Sequence, residues 1–421
     1  EKSRMSSTFT LTPSMLLLSG KFRLLLSGSA LLGAFLPYVS AAASPPTLAA
    51  SAAPSVPLWL GGCALALLLA WGLLHRCSEA IVTHLFEAHC SAASRRGCYP
   101  PGQHDKPTRA IDPPEQLRVV EEAWAYHTLK DGRRLWWLRL LPEGKPRAVV
   151  AFFHGFEDHS SFSLYNTARA FVEHTGCIAL LVDQPGHGRS DGLHALVPDW
   201  HSHLRAIEQW CDAVCLPEKQ ARGGDDEAKP LPLFAFGSSM GGAIAISLAM
   251  RRPHFFDGLM LIAPMVRLAP SLRPSPFVYC ALQVLARVPV LCDLALVPRT
   301  DRTRLNYASV AAWRLDEHLV RNGLAYGGKT RLRTVRSLLA ATDAISAQME
   351  TLRTPFIVLH GTQDQTTLPT MSKELVRRAQ VDDRMCELVE GAVHGLHYGE
   401  SPEVMLRVHW RLFMWLDSHC D

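Results

Sequence analysis

Hydrophobic and polar positions fall into distinct regimes along the 421-residue chain. From Leu24 to Leu74 no residue carries a formal charge, and Val56–Leu74 reads VPLWLGGCALALLLAWGLL, 19 apolar-dominated residues. At about 1.5 Å per residue such a helix is about 28 Å long, close to the ~30 Å hydrocarbon core of a bilayer. Trp59 and Trp71 stand near its ends, as interfacial aromatics do. A membrane-spanning helix over 56–74 is therefore expected within a hydrophobic amino-terminal region, 1–90. The earlier run Leu24–Leu36 follows Lys21 and Arg23 and precedes Val39-Ser40-Ala41-Ala42-Ala43. It is short for a span and reads as a signal peptide, a transit peptide or the first arm of a two-span hairpin. The polar, proline-rich stretch Ser91–Arg118 follows, and residues 91–118 are expected to be a linker.

Beyond the linker the period shortens. Ala123–Leu129 and Arg134–Leu140 flank Lys130-Asp131-Gly132, which predicts an antiparallel hairpin. Continuous apolar runs then recur at Ala148–Phe153, Ile178–Val182, Leu231–Phe236, Leu259–Ile262, Phe356–Leu359 and Cys386–Val389, mostly separated by helix-length segments. That rhythm predicts buried parallel strands in an α/β fold, with helices flanking a mostly parallel sheet. Pro217–Pro230 reads as a solvated surface loop. Between the runs ending at Ile262 and starting at Phe356 no convincing strand occurs, but Phe277–Val288 has helical apolar spacing. A helical cap over 265–345 is expected, inserted between core segments 119–264 and 346–421. Phe277, Val278, Leu282, Val284, Leu285 and Val288 are expected to shield an apolar tunnel beneath it.

Composition narrows the function classes. A net charge of +4 and a pI near 8.5 are too mild for a nucleic-acid footprint, so nucleic acid is not an expected partner. The 11 cysteines are scattered without metal-finger or framework spacing, which fits reduced thiols, and no metal site is expected. With no Asn-x-Ser/Thr acceptor and with Arg76, Arg95 and Arg96 after the apolar region, the expected topology is membrane-anchored with the domain beyond the linker in the cytosol. Gly323–Thr330 satisfies the phosphate-loop pattern, but polar Asp316–Asn322 precedes it where a buried strand is required, and no cofactor is expected. His201-Ser202-His203 places its histidines on different faces of a helix-like segment and reads as solvated rather than chelating.

The chemistry concentrates after the run LPLFAF. Gly237-Ser238-Ser239-Met240-Gly241 links that strand-like segment to the helix-like GAIAISLAM, the context of a nucleophile elbow. Gly237 and Gly241 leave room for strand and helix backbones to meet, and the spacing selects Ser239 as nucleophile. A serine needs a base, and the base needs an acid to orient it. In the order expected of this elbow, Asp364 follows the strand PFIVLH and His394 follows the strand CELVE, with His397 as the alternative histidine. The backbone amides of Met240 and Phe156 are the expected oxyanion donors. His154 is expected to be a structural hydrogen-bonder.

The segments His154–His159, Asp183–Gly192, Gly237–Ala243 and Gly391–His394 together resemble the monoacylglycerol lipase group of α/β-hydrolases, which also holds lysophospholipases and plant caffeoylshikimate esterases. The resemblance covers about 120 to 416. It implies a catalytic triad of Ser239, Asp364 and His394, an oxyanion hole from Phe156 and Met240, and a cap over an acyl-binding groove. Ser238 stands where the mammalian lipases usually have His, and the cap shows little likeness beyond Gly328–Thr334. The expected activity is cleavage of a small acyl ester through an acyl-enzyme, with monoacylglycerol or lysophospholipid as substrate. The alternatives are a hydrolase of small polar esters or peptides and a silent membrane-bound interaction module.

Overall fold

The computed structural model describes residues 121–220, 230–287, 291–298, 305–313 and 323–420. The expected span 56–74, the linker 91–118 and most of the Pro217–Pro230 segment lie outside the described residues; the described start of the last belongs to a short helix, Leu216–Gln220, rather than to a loop. Among the described residues no helix is long and apolar enough to cross a membrane.

Strands β1 (Glu121–Thr128) and β2 (Arg134–Leu141) form the expected hairpin. Its turn uses Gly132 at φ 84°, and Asp131 Oδ1 accepts from the Arg133 amide at 3.1 Å. β3 (Val149–Phe153), β4 (Ile178–Val182), β5 (Leu233–Ser238), β6 (Gly258–Ile262) and β9 (Phe356–Gly361) are buried at every residue. Both faces of these strands are covered, which is why they read as continuous apolar runs rather than alternating ones. With β10 (Arg384–Val389) they make an eight-stranded sheet in the order β1-β2-β4-β3-β5-β6-β9-β10. β1 and β2 are antiparallel to their neighbours and the remaining pairings are parallel.

Helices α1 (Tyr165–Thr175) and α7 (Pro402–Asp417) cover one face, where Phe171 and Phe413 meet edge to face at 4.8 Å. The other face is covered by α2 (Trp200–Trp210), α3 (Met240–Arg251) and α5 (Leu332–Ala347), with Leu375 of α6 (Pro369–Arg378) in the same core. α2 begins at Asp199, whose carboxylate accepts from the Ser202 amide at 2.8 Å, an N-cap that satisfies a first-turn donor.

The stretch between β6 and β9 is not wholly helical. It contains α4 (Pro276–Leu285), and β7 (Ala295–Val297) pairs antiparallel with β8 (Thr330–Arg331) ahead of α5. Strands of three and two residues are too short to carry a period, so the sequence pattern could not reveal them. α4 also faces otherwise than expected: Phe277 is 84% and Val284 63% exposed, while Leu282 is buried. Its apolar spacing marks a helix, but none of its residues lines the cavity described below, and Val288 lies outside the described residues.

Candidate functional site

The parallel registers bring the carboxyl ends of β3, β5, β6 and β9 to one edge. Phe153 pairs with Gly237, Gly237 with Leu261, and Ile262 with Leu359. Strand order reverses about β3, since β4 lies on one side and β5 on the other, and such switch points open a crevice for ligands. The elbow after β5 and the loop after β3 meet there. An added Cβ on Gly155 would stand 3.5 Å from Ser239 Cβ.

Ser239 has φ 54° and ψ −115°, a conformation a side-chain-bearing residue adopts at a cost of about 1–3 kcal/mol and keeps only when its surroundings enforce it. They do so closely. A Cβ on Gly241 would overlap the Phe153 carbonyl, and one on Gly237 would stand 2.5 Å from the Gly241 carbonyl oxygen. The Ser239 amide donates to Ile262 O at 3.0 Å, and Ser239 O accepts from the Met265 amide at 2.9 Å. Met240 is the first residue of α3, so its amide has no partner four residues back within the helix. Phe156 lines the same cavity as Ser239.

Asp364 follows β9 and is held by five hydrogen bonds. Oδ1 accepts from the amides of Thr366 at 2.7 Å and Thr367 at 3.0 Å. Oδ2 accepts from Thr367 Oγ1 at 2.8 Å, and His394 Nδ1 and His360 Nε2 approach it at 2.7 and 3.0 Å. Burial would raise this carboxyl, but the His394 charge and the hydrogen bonds from His360 and His394 outweigh it and hold the group well below the usual carboxylate range. The Nδ1 proton of His394 is thus committed to Asp364, leaving Nε2 bare when the ring is neutral. The loop of His394 is braced by its amide on Leu305 O at 3.3 Å and by the Val393 amide on Glu400 Oε1 at 2.6 Å.

Ser239 and His394 open on one cavity of about 340 Å³, within the usual size of small-molecule sites. Met265, Leu268, Val297, Val335, Leu338 and Leu339 supply an aliphatic wall, in place of α4. Phe162, Tyr307, Trp313 and Tyr398 supply an aromatic one.

The structure brings together Ser239, Asp364 and His394, with Phe156 and Met240 beside the serine, but sets His397 elsewhere. His397 Nε2 lies 3.1 Å from Ser238 Oγ, not against Asp364. His154 is buried and accepts the Gln184 amide on Nε2 at 3.0 Å, a structural role. His203 is buried rather than solvated, with Nε2 3.0 Å from Gln184 Oε1, and burial pushes it down to about 3. Among the described residues no cluster of metal-ligating side chains occurs. Sequence reasoning missed His360 and Thr367 as supports of Asp364. The run Asp364-Gln365-Thr366-Thr367 carried a signal, because a carboxylate accepting amides two and three residues on is an Asx-type turn.

The family described as serine aminopeptidase, S33, matches residues 144–401. Monoglyceride lipase of Homo sapiens is 31% identical over 292 residues, covering 68% of this chain and 88% of that protein. Caffeoylshikimate esterase of Arabidopsis thaliana is 28% identical over 305 residues, covering 71% of this chain and 86% of that protein. A crystal structure of a soluble variant of monoglyceride lipase from Saccharomyces cerevisiae, in complex with a substrate analog, superposes with a TM-score of 0.60 at 20% identity. It covers 73% of this chain and 97% of that one, a likeness of fold.

Proposed function

As the chain belongs to the serine aminopeptidase, S33, family of α/β-hydrolases and is a serine hydrolase of carboxylic esters, we propose that Ser239, Asp364 and His394 hydrolyse a monoacylglycerol. Ser239 Oγ attacks the ester carbonyl while His394 Nε2 takes its proton, and Asp364 stabilises the imidazolium that forms. The amides of Met240 and Phe156 receive the oxyanion. Collapse of the tetrahedral intermediate breaks the carbon–oxygen bond, and His394 returns the proton to the leaving glycerol. Water, deprotonated by His394, then attacks the acyl-enzyme and releases the fatty acid and Ser239.

The observation that carries this reading is the convergence on one largely apolar cavity of a serine at φ 54° and a histidine whose Nδ1 is 2.7 Å from a buried carboxylate. The aliphatic wall suits an acyl chain, and residues 265–345 act as the cap that supplies much of it. Val56–Leu74 anchors the protein in a membrane, with the catalytic domain on the cytosolic side. Its support is the uncharged span length with a tryptophan near each end and the positive residues that follow it.

A fluorophosphonate should label Ser239 in the full chain, and Ser239→Ala should abolish both labelling and turnover of monoacylglycerol. Equal labelling of the variant would sink the nucleophile assignment. Turnover of acetyl esters but not of monoacylglycerol would replace the lipid by a small polar ester. The full chain should resist carbonate extraction, and recovery in the soluble fraction would defeat the anchor.

A further inference from the structure

Ser238 leads away from the triad into the layer formed by α1 and α7. Ser238 Oγ is 3.1 Å from His397 Nε2, and His397 Nδ1 is 3.1 Å from Thr167 Oγ1 of α1. Thr167 Oγ1 is in turn 3.1 Å from His409 Nε2 of α7, whose Nδ1 is 2.7 Å from the Met405 carbonyl oxygen. All four side chains belong to buried residues. Burial pushes His409 down to about 4 and His397 well below the usual imidazole range, so both rings are neutral near pH 7.

With neutral rings only one proton arrangement satisfies every contact. A carbonyl oxygen can only accept, so His409 Nδ1 carries the ring proton and Nε2 is bare. The Thr167 hydroxyl therefore donates to His409 Nε2, and its oxygen accepts from His397 Nδ1. That leaves His397 Nε2 bare, to accept the Ser238 hydroxyl proton. The direction of the whole chain is set by one main-chain carbonyl of α7.

We infer that this directed chain of hydrogen bonds, from Ser238 through His397 and Thr167 to His409, positions the nucleophile by clamping the residue before it to α1 and α7. The inference rests on Ser239 being the nucleophile. The contacts that wedge Ser239 from its own side come from β6, the segment after it and the Gly241–Phe153 approach. The Ser238 hydroxyl supplies a hold on the opposite face of the sheet, so the elbow is gripped from both layers. Ser238 also borders the cavity, but its hydroxyl is held on His397; without that hold the peptide before Ser239 can relax toward ordinary backbone angles, and Oγ loses its aim at the bound ester while the other cavity walls stay in place. Ser238, His397, Thr167 and His409 are positioning residues and touch no reacting atom.

The test compares Ser238→Ala, Thr167→Val and the double variant of the full chain. Each single variant should lower kcat about tenfold and leave KM within twofold, and the second-order rate of labelling by a small fluorophosphonate should fall by the same factor. The double variant should be no slower than the singles, because one chain is cut once. Thr167→Ser keeps the hydroxyl and should recover kcat to within twofold of the parent. Single variants that melt earlier but keep the parent kcat, a loss confined to KM, or multiplied losses in the double variant would each overturn the inference. If Thr167→Val does not fold, Ser238→Ala alone decides through kcat and the labelling rate. Labelling that survives Ser239→Ala would instead indict the nucleophile assignment.

Discussion

Asparagine at position 364 is the sharpest perturbation of the site, because it keeps the shape of the carboxylate and changes only what it can accept. The carboxylate presents acceptors everywhere, whereas the amide offers one oxygen and one NH₂ donor. If the NH₂ takes the place of Oδ1, it confronts the amides of Thr366 and Thr367, now 2.7 and 3.0 Å away, and each buried N–H left unsatisfied costs about 1–3 kcal/mol. If it takes the place of Oδ2, the neighbours can adapt. Thr367 Oγ1 turns to Ala263 O at 3.1 Å, and His360 changes tautomer against Ser372 Oγ at 2.7 Å. His394 adapts as well, and that is the damage: the NH₂ donates to a bare Nδ1, the ring proton moves to Nε2, and the atom that must receive the Ser239 proton is blocked. Asp364→Asn should therefore fold but lose about 10⁴-fold in kcat, as in a serine-protease triad given the wrong tautomer, or about 5 kcal/mol of transition-state stabilisation. Steady-state hydrolysis of a p-nitrophenyl ester and the rate of fluorophosphonate labelling should fall together, with KM nearly unchanged. A labelling rate within tenfold of the parent would refute the tautomer argument.

Acid should destabilise the fold between about pH 6.5 and 4. Burial holds His409 at about 4 and His203 at about 3, while both ionise near pH 6.5 in the unfolded chain, which then binds the extra protons. Stability is thus full above pH 6.5 and declines as pH falls. At about 1.4 kcal/mol per unit and residue, the pair removes roughly 4 kcal/mol by pH 5, and equal urea midpoints at pH 7.5 and 5 would contradict this. Gly241→Ala should cost 3 kcal/mol or more, about the upper end for overpacking, because its Cβ overlaps the Phe153 carbonyl and would lie 2.8 Å from His154 O. A melting temperature within two degrees of the parent would show that β3 and α3 can separate more easily than their backbone contact implies.

The amino-acid order alone determined the elements whose cause is local. The five fully buried strands announce themselves as apolar runs because both their faces are covered, and Gly237 and Gly241 bracket Ser239 because the strand-to-helix turn has no room for side chains there. Asp364 and His394 were legible from their places just beyond strands, since parallel sheets gather those ends at one edge. Tertiary structure alone decided what depends on residues far apart in sequence meeting. The apolar spacing of Phe277–Leu285 fixes a helix but cannot say which side is covered, and Phe277 turns outward. His394 and His397 sit three residues apart on one loop, yet the fold sends one to Asp364 and the other to Ser238. Thr167 meets His409 across 242 positions, a contact set by how α1 and α7 cross the same face of the sheet. Periodicity records which residues share a face, and only the packing of whole elements decides what that face touches.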